Sequence, residues 1–123
     1  MSGGWDDLVQ KFGARAPPSG TIRSGMTVQA GDGMAAPVYK NCTTIGVSAA
    51  GLYVGSGGFF GLFSLPSVLI PWHEIRRVDA ATLYWQKAFR LSVGSPETAS
   101  LTLRADAYHM VMEYLDPSVR IPE

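Results

Sequence analysis

Apolar residues recur along this chain with two different periods. Trp5, Leu8, Val9 and Phe12 fall at i, i+3, i+4 and i+7, the single apolar stripe of a helix of about two turns. Asp6 and Asp7 in its first turn and Lys11 in its last suit the helix dipole, and Gly13 supplies a stop. So short a helix does not hold in water alone and must dock on something larger. The stretch Gly13–Gly20 contains Pro17-Pro18 and reads as a connector, because proline cannot continue a helix.

From Thr21 to Leu103 the period falls to two, the alternation of half-buried strands. Met26, Val28 and Ala30 alternate with Thr27 and Gln29, and Gly31-Asp32-Gly33 follows as a turn. Thr43–Val47 and Leu52–Val54 flank Ser48-Ala49-Ala50-Gly51, a hairpin turn. Val68–Ile70 is a short apolar run, and Trp72–Asp79 after Pro71 is a further strand candidate. Phe89, Leu91 and Val93 alternate with Arg90 and Ser92, Gly94–Glu97 is a turn, and Leu101 and Leu103 alternate with Thr102 and Arg104. Helical spacing returns at the end. Asp106 is the expected N-cap of a helix over Ala107–Leu115, and Asp116-Pro117 ends it.

These elements predict a mainly β protein: a barrel or sandwich of about seven antiparallel strands, with a short N-terminal helix and a C-terminal helix capping an open end. One domain over 1–123 is expected, with a helix and connector at 1–20, the barrel at 21–104 and the capping helix at 105–116. The length, 123 residues, fits one core. Ten basic residues balance ten acidic ones, which argues against nucleic acid as a partner, since that would call for a basic excess. One cysteine makes no internal disulfide, and no Cys/His cluster suggests a zinc site. The acidic N-terminus has no apolar signal region and no run is long enough to span a bilayer. The expected location is therefore cytoplasmic, including the inner face of the membrane.

The segment Asn41–Pro71 contains no Asp, Glu, Lys or Arg, and inside it lies Gly55-Ser56-Gly57-Gly58-Phe59-Phe60-Gly61-Leu62-Phe63. Its aromatics either pack into the barrel, as apolar side chains usually do, or form an apolar hairpin tip that enters a membrane interface or a partner's groove. Phe59, Phe60, Leu62 and Phe63 are the candidate binding residues. Arg76 and Arg77 are secondary electrostatic contacts, although alternation along a strand would let only one of them face a given surface.

Other candidates read as structural. The glycines miss the dinucleotide-binding spacing, because Phe60 stands where a glycine is required. His73-Glu74 lacks a second histidine four residues on, and a strand would point the two side chains to opposite faces. Cys42 reads as a small buried hydrophobe, and Ser48 is not in a nucleophile elbow. Trp72 is expected to anchor its strand to the core, and Trp85, beside Tyr84, to line a groove.

The hairpin Val47–Tyr53 (V-S-x-x-G-L-Y) and the strand Leu69–Ile75 (L-I-P-W-x-E-I) resemble a pattern in small bacterial proteins of the pleckstrin-homology-like superfamily, including GRAM-like domains. The resemblance covers about a third of the chain and implies the barrel with its last helix as cap. It carries over no catalytic residue, and it implies binding of lipid headgroups or protein segments. The expected function is a non-catalytic module, without cofactor, that recognises a protein partner or a membrane surface through the apolar hairpin. The alternatives are a homo-oligomer that buries this hairpin between copies, and a small-molecule binder or enzyme that uses the barrel interior.

Overall fold

The computed structural model describes residues 5–14, 21–31, 38–56, 67–94 and 99–121. Helix α1 spans Trp5–Phe12, and strands follow at β1 (Gly13–Ala14), β2 (Thr21–Ala30), β3 (Val38–Ser48), β4 (Gly51–Ser56) and β5 (Ser67–Ile70). A 3-10 turn over Trp72–Glu74 leads into β6 (Ile75–Leu83), β7 (Gln86–Val93) and β8 (Ala99–Arg104). Helix α2 (Ala105–Val111) and a 3-10 turn at Met112–Tyr114 complete the order. The protein is mainly β, with a short helix towards each end.

All eight described strands join one antiparallel sheet in the order β1-β5-β4-β3-β2-β8-β7-β6. It consists of two meanders, β2 to β5 and β6 to β8, sewn together where β2 pairs with β8 through Val28↔Leu103, Gln29↔Thr102 and Ala30↔Leu101. Strand β2 serves both meanders because register irregularities between Arg23 and Val28 bend it, as extra residues in a strand do.

Alternation decides the inside. Ile45 and Val47 on β3 face Val54 and Leu52 on β4, and Phe89 and Leu91 on β7 face Leu103 and Leu101 on β8. These residues, together with Val68, Ile70, Ile75 and Val78, belong to one buried cluster. Strands from both ends of the sheet therefore share a core, so the sheet curls around it. Leu8 is fully buried in the same cluster, which gives α1 about 1.5–3 kcal/mol of docking energy that the isolated helix lacks.

Helix α2 lays Ala107, Tyr108 and Val111 on the core, and the Tyr108 ring stacks on Phe89 with centroids 3.9 Å apart. The Tyr108 hydroxyl donates to the Ile121 carbonyl at 2.6 Å and accepts from the Ile121 N–H at 2.9 Å, holding the chain beyond α2 against the helix. Asp116 accepts bonds from the Ser118 N–H and hydroxyl. These bonds, the backbone one first, hold its carboxyl below the usual carboxylate range.

The details correct several expectations. Residues 13–14, read as connector, pair with β5 as a two-residue strand, which brings the described strands to eight. Trp72–Glu74 form a 3-10 turn, and β6 runs from Ile75 four residues past Asp79. The α2 helix starts at Ala105, before Asp106, with Arg104 at its N-cap and no side-chain cap bond. Asp106 instead accepts from the Ala107 N–H at 2.8 Å. Beyond Val111 the helix tightens to 3-10 geometry, a common way for a helix to end.

Candidate binding site

Strands β6 and β7 pair from Val78↔Leu91 through to Leu83↔Gln86, which leaves Tyr84 and Trp85 alone to turn the chain. A two-residue hairpin loop whose strands twist correctly needs positive φ at both central positions, the requirement that favours Asn-Gly. Here φ is 51° at Tyr84 and 62° at Trp85. For bulky aromatic residues this is an unusual conformation, and each such residue costs on the order of 1–3 kcal/mol. The strain is not repaid by burial, because Trp85 is 94% exposed and Tyr84 46%.

The tip overhangs a trough of about 580 Å³ on the face of the sheet turned away from the core. Leu83, Tyr84 and Trp85 form one wall, with Gly31 and Val38 among the other lining residues. Its floor is a straight cross-strand row. Asp79 lies opposite Arg90, Arg90 opposite Thr102, Thr102 opposite Gln29, and Gln29 opposite Val38. Residues directly opposite on paired strands share a face, so Arg90, Thr102 and Gln29 come together although they are far apart in sequence. The Arg90 guanidinium donates to the Ser92 hydroxyl at 2.8 Å and lies 3.7 Å from the Asp79 carboxylate. Asp79 also receives Arg77 Nε at 3.0 Å. A polar floor held in place beneath an aromatic wall suits recognition of an extended or planar ligand, and its volume lies in the usual range for ligand pockets.

No protein-family model matches the chain, nor does any curated protein or solved structure at a significant level. The geometry therefore carries the functional reading by itself.

The residues singled out in the sequence fall in several places. Phe59, Phe60, Leu62 and Phe63 lie outside the described residues. Arg76 and Arg77 are both exposed on β6. The alternation argument does not apply to them, because a bulge between Ile75 and Arg77 interrupts the register. Cys42 lies in β3. His73 and Glu74 share the 3-10 turn rather than a strand, with His73 Nε2 3.5 Å from the Glu74 carboxylate. His109 lies in α2. Among the described residues no three of His, Cys, Asp and Glu gather into a metal-binding group, and no helix is long and apolar enough to cross a membrane.

Trp72 is half-buried against the core. Its indole N–H donates to the Ser48 carbonyl at 2.6 Å and its ring stacks on Tyr114 at 5.0 Å. That clamps the link between the meanders to the β3–β4 hairpin and to the end of α2. Trp85 does line a groove. Its strained turn was not read from the sequence, where neither glycine nor asparagine marks it.

Proposed function

We propose that this chain is a non-catalytic binding module of the pleckstrin-homology-like kind, and that it recognises a protein partner through the Tyr84–Trp85 tip and the trough beside it. The fold-level part rests on two antiparallel meanders followed by a helix that packs on the shared core. One observation carries the functional part: a tryptophan 94% exposed on a turn whose backbone favours asparagine and glycine. A costly conformation that leaves its tryptophan ring in solvent points to use at the surface. The described lining of the trough contains no imidazole or thiol and holds the Arg90 guanidinium, with the Asp79 carboxylate beside it at the end of the row, so its chemistry is hydrogen bonding, ion pairing and apolar contact.

A protein is favoured over a bilayer on magnitude. Burying one tryptophan and part of a tyrosine contributes a few kcal/mol, whereas stable membrane attachment takes two concurrent signals. Thr82, Gln86 and Lys87 beside the tip are polar and exposed. A concave trough matches a partner's chain better than it matches a flat interface.

The test is selection of a random-peptide display library on the wild-type protein and on Trp85→Ala. The substitution should change stability by no more than about 0.5 kcal/mol, since it removes an exposed side chain. Peptides captured by the wild type should bind the variant at least about tenfold more weakly, the loss of one aromatic anchor. Peptide capture indifferent to Trp85→Ala, or no capture at all, overturns the reading.

A further inference from the structure

Among the described residues β6 ends the sheet, with β7 as its single neighbour in the strand order. A two-residue turn closes on a pair that exchanges both backbone hydrogen bonds, so Leu83↔Gln86 is such a pair. Counting back by twos, Ala81, Asp79 and Arg77 direct their N–H and C=O towards β7. Val78, Ala80 and Thr82 direct theirs outward, and among the described residues they make no backbone bond to another element.

Sheet edges are normally guarded by charge, bulges or proline. On β6 those guards are confined to the first half, where the bulge lies at Ile75/Arg77 beside Arg76, Arg77 and Asp79. The second half, Ala80-Ala81-Thr82-Leu83, carries no charge, exposes Ala80 and Thr82, and leads directly to Trp85. Charge then selects what fits. Segment 75–104 contains five basic residues (Arg76, Arg77, Lys87, Arg90 and Arg104) against Asp79 and Glu97. Arg76 is exposed and has no ion pair among the described residues. A second copy of this chain, placed edge to edge, would bring basic meander against basic meander.

We infer that the β6 edge receives an extended acidic segment of a partner protein, added antiparallel to Val78–Thr82, with an apolar residue at its N-terminal end beside Trp85 and carboxylates at its C-terminal end beside Arg76 and Arg77. Outward backbone groups supply the affinity of strand addition, and the side chains at its two ends supply the selectivity. This inference rests on the protein-binding reading above and adds the partner's conformation and charge.

The probe is a display library of eight-residue inserts with an apolar first position, a Thr/Val/Tyr centre and two randomised C-terminal positions. Selection on the full chain should enrich Asp and Glu at those two positions over Lys and Arg by about three- to tenfold, the scale of exposed ion pairs. Arg76→Gln/Arg77→Gln should remove the preference while retaining Trp85-dependent binding. Bound peptide should slow amide exchange at Ala80 and Thr82. Peptides N-methylated at alternate residues should lose binding, as should Ala80→Pro, which removes an outward N–H at an edge position that tolerates proline.

Trp85-dependent peptides without acidic preference, or without protection at Ala80 and Thr82, overturn the inference and leave the binding reading intact. Failure to recover any Trp85-dependent peptide overturns both. Protection of Ala80 and Thr82 in a peptide-free dimer overturns the inference in favour of self-association. If Ala80→Pro unfolds the chain, the N-methylated peptides decide.

Discussion

Tyr84 and Trp85 hold a backbone conformation that asparagine and glycine adopt more cheaply, and Trp85 gives its ring to solvent. Gly51 is the opposite case, a residue whose identity the fold demands. Its φ is 151°, and a Cβ there would lie 2.4 Å from the Ile70 carbonyl oxygen, a backbone atom held by the β4–β5 pairing. Gly51→Ala should therefore destabilise by about 2–4 kcal/mol, as substitutions that combine backbone strain with a buried clash do. Equilibrium urea unfolding measures it, and a loss below about 0.5 kcal/mol would show that the hairpin relaxes around the new methyl group. Gly51 was legible in sequence as a turn residue because glycine itself signals positive φ. Tyr84-Trp85 was not, because its side chains contradict the conformation they hold, and nothing local reports a turn imposed by the pairing of the strands around it.

Among the elements, those that bury an alternating face were readable. Phe89, Leu91 and Val93 on β7, and Leu101 and Leu103 on β8, face the core as their period requires. Boundaries were less readable where a turn borrows strand-like residues. Trp72–Glu74 winds into a 3-10 turn because Trp72 reaches the Ser48 carbonyl, a partner 24 residues away that no local pattern reveals. Helix α2 depends on a comparable long-range tie, the Tyr108 hydroxyl bonded to both backbone groups of Ile121. Tyr108→Phe keeps the stack on Phe89 and removes both bonds. The expected cost is about 1–3 kcal/mol, the usual penalty for stranding partly buried polar groups, with faster amide exchange at Ile121 in the same variant. An unchanged exchange rate there would mean that the segment following α2 is held by packing alone.

At the scale of the whole molecule, two meanders share one core, and the outer face of their junction forms the floor of the trough. The parts of the site come from β2, β3, β6, β7 and β8, so no contiguous motif could have displayed it. What the sequence did show was the fold that assembles these parts. Since the tip offers one tryptophan and one half-exposed tyrosine, co-sedimentation with neutral and anionic liposomes should show no binding that survives moderate salt through these residues. Salt-resistant binding abolished by Trp85→Ala would transfer the tip from a protein partner to a membrane.

The role of the tip depends on whether the fold needs Tyr84 and Trp85 or merely carries them. Equilibrium urea unfolding of the Tyr84→Asn/Trp85→Gly double variant beside the wild type measures this directly. If the aromatic pair is held for contact, the variant relieves the turn and is more stable by about 1–3 kcal/mol, with an unchanged dependence on denaturant. A variant less stable than the wild type would show that the pair supports the fold, and would contradict the assignment of the tip to a partner.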